Sequence, residues 1–166
     1  LKEQLNSYFS NRFYFPIGKR GKFRDKFDNE LMLPLNFHGQ NITLGSGGLR
    51  SKDDNTYIIS NKNNLLYDVD ITGFYGNILY IYNLTTFNRG LNTFFKTLVE
   101  ERTKAQIEQN QILDQCLKFI INSVSGNLAN QNSTLFNPQC RFDLICLSHL
   151  LMLNLLDSLK HHNLSV

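Results

Sequence analysis

The chain contains no tryptophan, and it has only three prolines, three cysteines and two methionines among its 166 residues. Cys116, Cys140 and Cys146 are odd in number and lack C-x-x-C spacing, and the four histidines add no ligand pattern to them. This excludes a disulfide scaffold and a zinc module of ordinary spacing, so free thiols are expected. No signal-peptide pattern opens the chain. The most apolar stretch, Leu144 to Leu156, is broken by Ser148, His149 and Asn154, which argues for a packed helix over a membrane span. Charge of one sign is also scarce, since a net charge of +3 gives only a weak pull toward an anionic partner.

What is present suits one globular domain. Hydrophobic residues make up 42% and aromatics 12%, enough apolar side chain to offset the entropy of ordering. Charge is concentrated between Arg12 and Lys26, where Arg12, Lys19, Arg20, Lys22, Arg24 and Lys26 face the single acid Asp25 and alternate with Phe13, Tyr14, Phe15, Phe23 and Phe27. Such a segment suits phosphate contact with stacking rings, and it equally suits a solvated hairpin with its aromatics in the core. The chain opens on Leu1 and closes on Asn163-Leu-Ser-Val, which is expected to enter a strand, so it reads as an internal fragment.

Local patterns order the rest. A short helix is expected over 2–10, a basic loop or hairpin over 18–26, and an extended segment at Leu33-Pro-Leu-Asn-Phe, because proline pushes its predecessor out of the α region. Gly45-Ser-Gly-Gly48 is a turn that reverses a strand or admits a ligand close to the backbone. Tyr57-Ile-Ile-Ser and Leu65 to Ile71 read as two strands. In the second, Leu65, Tyr67, Val69 and Ile71 alternate with Leu66, Asp68 and Asp70, so both carboxylates share one face. A helix follows from Thr72 with Phe74, Ile78, Ile81 and Tyr82 at its apolar spacing, and a second runs from about Leu91 to Ala105. A third, about Glu108 to Leu128, carries the stripe Leu113, Leu117, Ile120, Val124 and Leu128, with Gln111, Gln115, Lys118, Asn122 and Ser125 opposite. A fourth, strongly apolar helix from about Phe142 to Lys160 packs on the sheet.

Two motifs carry a family likeness. Asp70-Ile-Thr-Gly-Phe-Tyr-Gly-Asn-Ile-Leu79 resembles the first catalytic motif of B family DNA polymerases, D-x-x-S-L-Y-P, and Lys118-Phe-Ile-Ile-Asn-Ser-Val-Ser-Gly126 resembles their fingers motif, K-x-x-x-N-S-x-Y-G. Gly47-Gly48-Leu49-Arg50 looks like the G-G-x-H turn that precedes the palm strands in phage and plasmid members. The resemblance implies that Asp70 binds catalytic magnesium, with Asp68 a weaker candidate. It further implies that the backbone of Phe74, Tyr75 and Gly76 holds the triphosphate and that Tyr75 stacks beneath the incoming sugar and excludes a ribose 2′-hydroxyl. Lys118, also assigned a catalytic role, and Asn122 would contact the nucleotide, Arg102 would reach the triphosphate, and Gly47, Gly48 and Arg50 would touch DNA. Gly73, Gly76, Ser125 and Arg50 depart from the family's serine, proline, tyrosine and histidine. The interval from Asp70 to Lys118 leaves little room for the insertion of protein-primed members.

The expectation is therefore a mixed α/β fold, part of a polymerase palm with an antiparallel sheet and helical fingers. Its divisions are a basic pre-palm segment (1–44), palm with the first motif (45–86), fingers (87–130) and a palm helix ending before the second catalytic aspartate (131–166). Function, by resemblance, is template-directed addition of deoxynucleotides to a primer by two-metal phosphoryl transfer, with primer-template DNA, deoxynucleoside triphosphates and Mg2+ as partners, in a bacterial cytoplasm or associated with a virus. The isolated fragment is expected to be inactive. The alternative is a palm-derived module that binds nucleotide or nucleic acid without catalysis.

Overall fold

The computed structural model describes residues 2–10, 30–52, 59–62 and 65–162. Mixed α and β structure is observed: α1 (Lys2–Ser10), β1 (Met32–Phe37), β2 (Gln40–Gly45), β3 (Gly48–Ser51), α2 (Phe74–Ile81), α3 (Arg89–Ile107), α4 (Gln111–Asn127) and α5 (Pro138–His161). The basic segment 12–26 and residues 57 and 58 lie outside the described residues.

The three strands form an antiparallel meander in the order β1-β2-β3. His38 and Gly39 both take positive φ (51° and 85°) between paired Phe37 and Gln40, the backbone twist that a two-residue hairpin turn requires. Ser46 and Gly47 make the second two-residue turn, closed by the Gly45–Gly48 pair. Pro34 lacks an N–H and is tolerated because β1 is an edge strand. Leu35, Ile42 and Leu44 point from the sheet into a core shared with Tyr8 of α1 and with Phe142, Ile145 and Leu153 of α5.

A second core lies among the helices, where Ile78, Leu79, Phe95, Leu98, Ala105, Leu117, Ile121 and Leu128 meet Cys140 and Leu144. Thus α5 enters both cores from opposite faces. Cys140, Leu144, Leu147 and Leu151 recur at helical spacing toward the other helices, and Phe142, Ile145, Cys146 and Leu153 toward the sheet. By length and composition α5 is also apolar enough to cross a membrane, with a third of its most apolar window buried against protein. It begins at Pro138, four residues before the expected Phe142, because the Asn137 side chain accepts from the Cys140 N–H (2.9 Å) and Pro138 suits the first turn.

Three expectations require correction. No strand forms over 65–71. These residues are exposed, Tyr67 at 73% and Val69 at 77%, and among the described residues no backbone ladder pairs with them, so alternation alone does not make a strand. The sheet is built from 32–51, and Asp70 is not on it. The buried face of α4 is Leu117, Ile121, Ser125 and Leu128; Leu113 and Ile120 face outward, and Ser125, expected on the polar side, is buried and donates to the Ile121 carbonyl. In α2 the buried residues are Gly76, Ile78 and Leu79, while Ile81 and Tyr82 are exposed.

His149, on α5, is fully buried beside Tyr8 (ring centroids 6.3 Å), and among the described residues neither ring nitrogen has a hydrogen-bond partner. Burial pushes its pKa down to about 4, against a smaller upward pull from the backbone of Gly48 and Gly45, which lies near the ring without hydrogen-bond geometry. A depressed folded-state pKa means that below the ordinary histidine value, about 6.5, the unfolded chain takes up a proton that the folded chain refuses. Stability should fall by up to about 3 kcal/mol as pH drops from about 6.5 toward 4. Urea midpoints at pH 7 and pH 4.5 should show this loss, and His149→Leu should be less sensitive across that window than the parent chain.

Candidate functional site

The first residues of α2 are the meeting point of three distant stretches of chain. Gly73 caps the helix in the left-handed region (φ 62°), which glycine adopts without a Cβ penalty, and no side chain accepts from the first helical N–H groups. Asn77 reaches back from the first turn, its Nδ2 donating to the carbonyls of Thr72 (3.2 Å) and Gly73 (3.3 Å). The loop between Asp70 and the helix is thereby held from within the helix. Serine in place of Gly73 would be strained by that φ.

Gly76 faces α3 and α4 at very close range. A Cβ there would sit 2.9 Å from Ile121 Cγ2 and 3.1 Å from Val99 Cγ2, inside van der Waals contact. The absent side chain lets α2 lie against the α3–α4 hairpin, and a proline ring would collide with the same atoms. Ser125 is likewise 2% exposed, with no adjoining space for a tyrosine ring unless the helices shift.

Arg102 stands behind this junction. Its Nε donates to Asp114 Oδ1 at 2.8 Å, the same oxygen receives Gln106 Nε2 at 3.0 Å, and the side chains of the ion pair are 9% and 19% exposed. The pair ties α3 to α4. A Cβ on Gly73 would lie 3.8 Å from Arg102 Nη1, so one edge of the guanidinium is committed to Asp114 while another borders the start of α2.

Tyr75 leans the other way, toward the sheet. Its ring stacks on Phe74 (centroids 5.9 Å, 30° between planes), Arg141 of α5 sits over it at 5.7 Å, and its hydroxyl lies 3.8 Å from where a Cβ on Gly48 would be. Gly48 has φ 110°, a conformation side chains rarely adopt. At the neighbouring Gly47 the Arg50 guanidinium folds over the turn, 2.8 Å from the Cβ position.

The chain matches no family model, no curated protein and no solved structure.

Of the residues singled out in the sequence, Gly48, Tyr75, Gly76 and Arg102 are brought to this junction, with Phe74 beside them. Asp70 and Asp68 are exposed in the segment leading to it, and Lys118 and Asn122 are exposed on α4. Lys118 and Asn122 flank Ile121, the residue that meets Gly76. Among the described residues no three His, Cys, Asp or Glu side chains converge in a metal-binding group. Magnesium typically takes one or two protein carboxylates and fills its sphere with water and phosphate oxygens, and an exposed carboxylate such as Asp70 is compatible with that donor set. Asp114, Asn77 and Arg141 were missed by sequence reasoning. Asn77 stands inside the first motif, where its i, i+4 reach to Gly73 was a usable signal; the Arg102–Asp114 and Arg141–Tyr75 contacts are tertiary and carry no spacing rule.

The close approach at Gly76 yields a direct test. Gly76→Ala should destabilise the chain by about 1–3 kcal/mol, the usual cost of overpacking, despite alanine's better helix propensity. Chemical denaturation of the variant checks this, and adding Ile121→Val, which removes Cδ1 and keeps the γ carbons, should not recover the loss.

Proposed function

We propose that this chain forms the nucleotide-binding junction of a B family type DNA polymerase, joining the start of the first palm motif to the fingers helices. The observation that carries this reading is convergence. Three segments that resemble separate polymerase motifs, Gly47-Gly48-Leu49-Arg50, Asp70 to Gly76 and Lys118 to Gly126, come close around two residues, the Tyr75 hydroxyl lying 3.8 Å from where a Cβ on Gly48 would be and Gly76 packing against Ile121.

In this reading Asp70 would hold magnesium that arrives with the nucleotide, and the metal would neutralise charge developing on the phosphates. The uncapped N–H groups at the start of α2, strengthened by the helix dipole, suit the triphosphate. Lys118 is an exposed ammonium on a flexible stem, suited to a phosphate that arrives and departs. Arg102, anchored by Asp114, lends positive potential from behind Gly73 with little freedom to follow the ligand. Tyr75 presents a ring whose edge would meet a 2′-hydroxyl. Template and primer would approach along the Gly45–Gly48 turn and Arg50.

Equilibrium binding of Mg-dATP to the chain is the first measurement. Lys118→Ala should weaken it by roughly tenfold, the loss of one charge-assisted phosphate contact. The chain alone should not extend a primer, because one carboxylate cannot hold both ions; extension by a rigorously purified sample would count against the assignment of this segment as only part of a catalytic site. In a longer polypeptide that also supplies a second acidic strand, Tyr75→Ala should raise ribonucleotide incorporation relative to deoxynucleotide by roughly tenfold or more. Nucleotide binding without extension in that longer polypeptide would favour a non-catalytic palm-derived module, and a stable Tyr75→Ala enzyme with unaltered sugar discrimination would remove the gate role.

A further inference from the structure

Arg141 is a cation that the fold commits to an aromatic ring. It lies one turn into α5, where Pro138 and the Asn137 cap fix the helix start, and its own backbone N–H donates to the Asn137 carbonyl at 3.1 Å. Its Nε is buried with no hydrogen-bond partner, and among the described residues no carboxylate forms an ion pair with it. Asp143, two residues on, is engaged by Gln139 Nε2 at 2.8 Å. Burial lowers the guanidinium's affinity for its proton, although arginine stays charged at any ordinary pH. What the guanidinium does contact is Tyr75, at 5.7 Å from its ring centroid, within the range of cation–π attraction.

We propose that Arg141 is a positioning residue for Tyr75, holding the phenol ring against the Gly48 turn in the orientation that screens the sugar of an incoming nucleotide. The sugar-screening part rests on the function proposed above; the contact itself does not. Three elements lie around the ring. Phe74 stacks on it from within α2, the Gly48 turn borders its hydroxyl, and Arg141 covers it from α5. A Cβ on Gly48 would stand 3.8 Å from the hydroxyl, an ordinary contact, so the turn borders the ring without blocking it. An apolar side chain at position 141 would fill the same space without directional preference for the ring, whereas a planar guanidinium favours the ring face electrostatically and lets the ring's edge remain open. Tyr75 is accordingly only partly buried.

The test separates contact from function. In the 166-residue chain labelled with 13C-tyrosine, Arg141→Met should shift the Tyr75 ring resonances and bring its two ring edges into faster exchange, while the thermal midpoint confirms that the fold persists. If Arg141→Met does not fold, Arg141→Lys is read in its place, since lysine keeps the charge and loses the planar stacking. Ring resonances unchanged within linewidth would overturn the proposal. For the consequence, in the longer polypeptide that supplies a second acidic strand, discrimination between deoxy- and ribonucleotide should fall about fivefold in Arg141→Met, a change of the size one cation–π contact supports, and the double variant with Tyr75→Ala should discriminate no worse than Tyr75→Ala alone. Discrimination lost in Tyr75→Ala but intact in Arg141→Met would overturn the positioning role alone. Discrimination intact in both would remove the sugar gate and with it the sugar-screening part of this proposal.

Discussion

One helix with two apolar faces holds the molecule together. The strands bury Leu35, Ile42 and Leu44 on one side, the α2–α4 helices bury Leu79, Phe95 and Ile121 on the other, and α5 is the element with buried side chains in both cores. A three-stranded meander cannot stand alone in water unless its apolar face is covered, and a short helix such as α2 draws its stability from packing. Because α5 serves both, it sets how the Gly45–Gly48 turn sits relative to the start of α2. The nearness of Tyr75 to Gly48 follows from that spacing, as does the position of His149 near the same turn.

The small residues that stand where the resembled motifs have serine, proline and tyrosine each have a packing or backbone reason in this fold. Gly73 occupies a left-handed cap, Gly76 a contact too close for any Cβ, and Ser125 a buried position where its hydroxyl bonds back to the preceding turn. Each is a small residue where this packing demands one. At Gly76 the absent side chain lets α2 lie close to Ile121 and Val99 of the α3–α4 hairpin. Glycine's higher backbone entropy costs up to about 1 kcal/mol per helical position, and the denser contact of Ile121 and Val99 with the α2 backbone offsets it.

How much was legible follows from the range of the forces involved. Helix existence was legible for all five because local caps and 3.6-residue spacing act within the segment; Asn88, Asn110 and Asn137 each cap through their own side chain. The extended run at Leu33 to Phe37 and the glycine turn at 45–48 were legible for the same reason. Which stripe of α4 turns inward was not, because Ile120 and Ile121 are equally apolar and the choice is made by the absence of a side chain at Gly76, 45 positions away in sequence. The alternating run at 65–71 misled because a strand is defined by its partner, and none is paired with it among the described residues. At the junction, Tyr75, Gly76 and Gly48 were readable through the motif likeness, while Arg141 and Asp114 depended on tertiary contacts.

The charged groups around the junction divide by how tightly the fold holds them, and the division bears on mechanism. Arg102 and Arg141 are held in place, one by a carboxylate and the other by a ring, with side-chain freedom already surrendered on folding. Lys118, Arg50 and Asp70 remain exposed. Fixed charges shape a potential without reorganising when a ligand arrives, which is where electrostatic preorganisation gains its strength. Exposed ones can follow a polyphosphate in and release it, but each surrenders rotamer entropy when it engages. Under the proposed function, a site that would bind a triphosphate and then free pyrophosphate needs both kinds; the fixed charges here lie in the helix packing behind α2 and beside Tyr75, and the exposed ones on the surface.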